Sequence, residues 1–208
     1  MALATGRKAR NLREMRDHLL TVSLGSIYHH FWGGLLLPRF EHREFNNDFA
    51  SWARHGLHED KLAEKLAVID PTEFADLERL RQEIVDVIEQ RLDESEYIPW
   101  AKRNMEFEFI HSKIVVFDTY QRIERPEQLP GAVRKLSGSS IFFHFIDSRR
   151  RPPAGQDDFS AWLTSCGAGY AGLCGSLKNI DPYFTSLIHI REMLSRTMAE
   201  YFSGRERL

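Results

Sequence analysis

Cysteine is scarce in this sequence: only Cys166 and Cys174 are present. Two thiols so spaced suit neither a disulfide scaffold nor a four-ligand zinc site, so reduced structural thiols are expected. Long apolar runs are missing as well, and nothing approaches the roughly 20 residues that a membrane span needs. Charge of one sign is not in excess either. The 28 basic and 30 acidic side chains are interspersed, with a net charge of −2, so the overall electrostatics speak against nucleic acid and anionic lipid. The first residues are basic in part, with no apolar stretch before the polar Asn11–Arg16 segment. No secretory signal is read, and the cytoplasm is the expected location.

What the chain does have is internal likeness, which decides how everything else is parsed. Ser26-Ile27-Tyr28-His29-His30-Phe31 returns as Ser140-Ile141-Phe142-Phe143-His144-Phe145, an offset of 114 (26 to 140). Asp48-Phe49-Ala50-Ser51-Trp52 returns as Asp158-Phe159-Ser160-Ala161-Trp162, an offset of 110 (48 to 158). Leu62, Leu66, Ile69, Asp70 and Pro71 reappear, all at offset 111, as Leu173, Leu177, Ile180, Asp181 and Pro182. Three collinear blocks at nearly one offset imply two tandem diverged copies of one module, spanning 8–95 and 96–208 and packing as one pseudo-symmetric unit.

The module reads as mainly α. Hydrophobic period and capping signals predict helices over 11–22, 24–36, 48–54 and 58–68, and again over 127–137, 140–148, 158–165 and 170–179. Pro38 and Pro152-Pro153 mark the loops between the second and third helices. Asp70-Pro71, with Glu73 completing a capping box, is expected to open a long helix whose stripe includes Phe74, Leu77, Ile84 and Ile88. Asp181-Pro182 is expected to open its counterpart through Phe184, Leu187, Ile188, Leu194, Met198 and Phe202. Between the copies, Met105–Phe109 alternates and Ile114–Phe117 is rich in β-branched residues, which predicts a short β-hairpin turning near Ser112. A lone hairpin is marginal in water, so this one is a candidate dimerisation element.

The Ser-Ile-Tyr-His-His-Phe block, the Asn47–Trp52 block and the Leu62–Pro71 segment together resemble a prokaryotic family of unknown function. The resemblance covers most of the chain, including the Phe-x-Phe strand before the second copy. It implies a genomic context near sugar metabolism in some members, and no catalytic residue. The family pattern also implies a strand before the first copy, which this sequence is expected to lack.

The sharpest chemical constellation is His29, His30 and Asp48, with Asn46 and Asn47 beside the acid, echoed by His144 and Asp158. Imidazole and carboxylate from two helices can ligate a divalent metal or pair a base with its orienting group. The favoured reading is that such a pair serves the fold, with the acid in a first helical turn and the histidine bonded to it. The second copy has Phe143 in place of His29, so any chemistry is expected in the first copy. Tyr28, Trp32, Asn47, His144 and Asp158 are candidates for a ligand groove, Trp32 and Trp100 being free of repeat counterparts and so available to a surface. Trp52 and Trp162 recur at one repeat position and read as core. Arg149-Arg150-Arg151 is a weak anion contact at most. Gly167–Gly172 matches G-x-G-x-x-G but follows a helix rather than a strand, which excludes the dinucleotide reading. His55-x-x-His58 with Glu59 and Asp60 reads as a solvated helix start.

The expected function is therefore that of a non-catalytic binding or regulatory protein, acting through an intermodule groove or by self-association. Its expected partners are another protein or a second copy in a homodimer, a small polar or sugar ligand also suiting a groove, with no cofactor. The alternative is a metal-dependent hydrolase in which a divalent ion sits on His29, His30 and Asp48.

Overall fold

The structure, a computed structural model, describes residues 1–36, 44–94, 96–151, 155–182 and 185–205. Pro38, Pro152, Pro153 and Phe184 lie outside the described residues. The chain is mainly helical with one two-stranded antiparallel sheet. It forms two compact units that part between Val116 and Phe117. No helix among the described residues is long and apolar enough to cross a membrane.

Among the described residues the first unit contains the strands β1 (Ala2–Ala9) and β2 (Phe107–Ser112) and the helices α1 (Leu12–Leu19), α2 (Leu24–Trp32), α3 (Asp48–His55), α4 (Asp60–Ala67) and α5 (Leu77–Asp93). The expected hairpin does not form. Phe107–Ser112 pairs instead with β1, from Ala2↔Ser112 to Ala9↔Phe107, with a register shift between Ala4 and Lys8 where Gly6 takes a φ of 75°. A strand before the first copy is therefore present, contrary to expectation. It escaped notice because Ala2–Ala9 has no alternation and buries only Ala9; what makes it a strand is its partner. Ile114–Phe117, the expected second arm, has no regular secondary structure.

Strand β2 turns Phe107 and Phe109 inward and Glu108 outward. Its inner face meets α2, which approaches so closely at Gly25 that a Cβ there would lie 2.4 Å from His111 Cε1 and 2.9 Å from Ser112 O. Helix α5 packs on α1, α2 and α4 through buried Leu80, Ile84, Val85 and Ile88. Each such side chain contributes about 1.5–3 kcal/mol on burial, against about 1 kcal/mol for a helix cap, so packing rather than capping holds this helix. Its cap is Asp76, whose Oδ1 accepts from Arg79 N at 2.8 Å, and not Asp70. Asp70 turns on itself instead, accepting from Thr72 N at 2.8 Å, a local turn that competes with helix entry. Arg81 reaches from α5 to the end of α1, donating to the carbonyls of Leu19, Leu20 and Val22.

The second unit contains α6 (Leu129–Val133), α7 (Gly138–Ile141), α8 (Asp158–Cys166), α9 (Ala171–Lys178) and α10 (Leu187–Arg205). Helix α7 runs on through a π-helical turn at Phe142–Ile146 and a 3-10 turn at Asp147–Arg150. Helix α10 packs against α6, α7 and α9, burying Ile190, Leu194, Met198 and Phe202. It starts after Ser186, whose Oγ accepts from His189 N at 3.2 Å, and not at Asp181-Pro182. Gly167, at a φ of 137°, ends α8 and leads through a 3-10 turn into α9, so the glycine-rich segment is a connection between helices.

Candidate functional site

Neighbouring residues on a helix point about 100° apart, so α2 sends its two adjacent histidines to different partners. His30 is 2% exposed. Its ring lies against Phe107 at 4.6 Å, Phe49 at 5.3 Å and Phe109 at 6.0 Å between centroids. Both of its nitrogens are bonded: Nδ1 lies 3.0 Å from Asp48 Oδ2, and Nε2 accepts the backbone N–H of Ile110 at 3.2 Å. Since a backbone amide can only donate, Nε2 carries the lone pair and Nδ1 the proton. The pairing is thus a clamp: Asp48 on α3 orients the ring, and the ring holds the exposed edge of β2.

The rest of β2 is held in the same manner. His29 Nδ1 is 2.6 Å from Ser112 Oγ, and His111 Nδ1 is 2.7 Å from Ser23 Oγ just before α2. Upstream of the strand, Trp52 Nε1 donates to Met105 O at 2.7 Å. A two-stranded sheet leaves one edge of β2 without a strand; there His30 from α2 takes the Ile110 N–H, while Ser23 and His29 bond the side chains of His111 and Ser112. The acid side of the clamp is fixed by the start of α3. Asn47 Oδ1 accepts from Ala50 N at 2.8 Å while its Nδ2 donates to Leu66 O at 2.9 Å, which places Asp48 in the first turn.

His29, His30 and Asp48 each offer a ligand atom within 4.8 Å of the others, the spacing a metal cluster needs. The hydrogen bonds oppose that use. A metal ligand must present a lone pair, whereas His30 Nδ1 holds a proton and Nε2 holds an amide, so ligation requires His30 to let go of Asp48 or of β2.

In the second unit His144 lies on the π-helical turn, and its Nδ1 is 2.8 Å from Asp158 Oδ2. Asp158 follows Asp157, which caps α8 by accepting from Ser160 N at 2.9 Å. Here the surroundings differ. Arg151 Nη2 shares Asp158 Oδ2 at 3.0 Å and also donates to Phe143 O at 2.8 Å. The side chain of His144 is 40% exposed, and its Nε2 has no hydrogen bond among the described residues. The two histidines thus differ in surroundings: β2 covers His30, whereas the His144 ring meets Phe143 at 5.0 Å and Phe159 at 5.9 Å and no strand among the described residues.

The other candidates fall mostly into the core. Tyr28, Trp32 and Asn47 are 6%, 1% and 1% exposed, so they do not line a groove. Trp32 stacks on Tyr28 at 5.1 Å, while Trp100, at 62% exposure, does lie on the surface. The arginine run is largely engaged internally. Arg150 and Arg151 pair with the buried Asp147, and Arg149 lies over the Phe145 ring at 4.3 Å. His58, Glu59, Asp60, Lys61, Arg91 and Glu94 line an open hollow of about 380 Å³. Across it Arg91 grips Glu59 with two bonds of 2.7 and 2.8 Å, which raises the guanidinium above its ordinary range. Sequence reasoning missed His111, Ser112, Ser23 and the donor role of Trp52. Only the recurrence of tryptophan at one repeat position signalled the last.

A family model described as a family of unknown function, DUF5752, matches residues 1–199. This agrees with the resemblance carried by the Ser26–Phe31 block. No curated protein matches the chain. Among solved structures, that of OrfY from Thermoproteus tenax is similar, at 29% identity and a TM-score of 0.79 over 98% of this chain and 92% of that one.

Proposed function

The chain belongs to the DUF5752 family of unknown function, and from that premise we propose that it is a non-catalytic protein that acts by binding protein, first of all a second copy of itself. The observation that carries this reading is the segment after β2. Val115, Val116, Phe117 and Tyr120 are 55%, 59%, 81% and 83% exposed, and no backbone hydrogen bond reaches residues 114–117 among the described residues. Apolar, β-branched chain with unused backbone groups is what strand addition consumes. The closed state of His30 supports the same reading from the other side, since it commits the most reactive cluster to the fold.

Sedimentation velocity over a range of concentrations tests it. A concentration-dependent dimer that weakens in the Phe117→Ser variant is expected. A strict monomer at every concentration, with no protein co-purifying, would overturn the reading.

A second reading rests on the 4.8 Å cluster of His29, His30 and Asp48: metal-assisted hydrolysis. It requires one divalent ion per chain, lost in His30→Ala, and elemental analysis of the native protein purified without chelator decides it.

A further inference from the structure

We propose that the second unit carries a docking site for a β-strand, formed by His144 and Trp162 beside the buried Phe159, and that its occupant is the Val115–Tyr120 segment of a second copy. The proposal rests on the self-association reading and assigns it a site.

The first unit supplies the pattern. There the ring of Phe107 is gripped by three side chains: His30 at 4.6 Å, Phe49 stacked at 5.2 Å and Trp52 at 5.7 Å. Two residues before Phe107, Met105 O accepts from Trp52 Nε1, and three residues after it, Ile110 N donates to His30 Nε2. In the second unit the same three residue types recur in sequence, and the histidine and phenylalanine recur in like geometry. His144 is tied to Asp158 at 2.8 Å as His30 is to Asp48 at 3.0 Å. His144 and Phe159 lie 5.9 Å apart, as His30 and Phe49 lie 5.3 Å apart.

What differs is the occupant. Among the described residues no hydrogen bond reaches His144 Nε2 or Trp162 Nε1, and no ring lies against the half-buried Trp162. One acceptor and one donor thus stand on the second unit in the roles that bind a strand in the first. His144 also sits on a π-helical turn, a distortion that is frequent at functional sites.

The segment Val115-Val116-Phe117-Asp118-Thr119-Tyr120 matches Met105-Glu106-Phe107-Glu108-Phe109-Ile110 in its apolar first position, its Phe and the acid that follows. Setting Phe117 in the role of Phe107 brings Val115 O to Trp162 Nε1 and the Tyr120 N–H to His144 Nε2. Val115 O has no hydrogen bond among the described residues. The Tyr120 N–H now donates to Asp118 Oδ1 at 2.7 Å and exchanges that bond on docking. The other free edge, that of β1, is a poorer partner for a second copy, because it is bulged at Gly6 and carries Arg7 and Lys8.

The test follows the indole N–H resonance of Trp162, identified by its loss in Trp162→Phe, while sedimentation velocity reports the dimer over the same concentrations. His144→Asn keeps a donor toward Asp158 and removes the Nε2 acceptor. The Trp162 resonance should shift in step with dimer formation, and the double variant should weaken association roughly 30-fold for two lost hydrogen bonds. If the wild type dimerises with the Trp162 resonance unmoved and the double variant dimerises equally well, the site is wrong while self-association stands. If the wild type is monomeric throughout, self-association fails and this proposal with it.

Discussion

Replacing His30 by alanine removes three things at once, and the structure sets the size of each. The Nδ1 bond to Asp48 is lost, but Asp48 has a side chain 34% exposed and can turn to water, so that loss is about 1 kcal/mol. The N–H of Ile110 loses its acceptor beside the buried rings of Phe107 and Phe109, at about 1–3 kcal/mol. The space vacated between Phe49, Phe107 and Phe109 adds a cavity term. Together about 4 kcal/mol is expected, a large share of the ~5–15 kcal/mol that holds a typical protein. For a chain of this size that lowers the melting temperature by roughly 8–16 °C. His144→Ala, at a side chain 40% exposed, should cost about 1 kcal/mol or less. Chemical denaturation of both variants gives the comparison, and nitrogen NMR of His30 should report the tautomer protonated at Nδ1. Equal costs for the two variants, or an Nε2-protonated His30, would refute the clamp.

Asp118 is held down to about 2 by its hydrogen bonds, first to Arg122 and then to the Tyr120 N–H. Because its folded value lies below the ordinary 3.8, its contribution is complete above that value and is lost as pH falls through about 2. A carbon NMR titration should find this carboxyl ionised to unusually low pH, and Arg122→Ala should return it toward the ordinary range. Arg81, 8% exposed, bridges the carbonyls of Leu19, Leu20 and Val22 at 3.1, 3.2 and 2.8 Å. A lysine ammonium cannot span the same three acceptors, so Arg81→Lys should destabilise by about 1–3 kcal/mol in urea unfolding; an unchanged midpoint would show that water replaces the fork.

The sequence by itself determined the helical class and most helix positions, because amphipathic period and side-chain caps are local properties. The segment predicted over 24–36 is found as α2 with a 3-10 extension to Leu36, and Asp48 and Asp158 each open a helix as expected. The pairing of His30 with Asp48 and of His144 with Asp158 was legible too, since each acid follows its histidine at a short distance along the chain. Only the tertiary structure decided what those pairs do. Strand β1 exists through hydrogen bonds to residues about a hundred positions away, and no local pattern in Ala2–Ala9 encodes them. That long-range pairing brings Ile110 to His30 and closes the first pair, while among the described residues no hydrogen bond reaches His144 Nε2. Two histidines, each followed by phenylalanine and paired with an aspartate, thus differ in surroundings, because a hydrogen-bond acceptor is used up only by the donor that folding delivers to it.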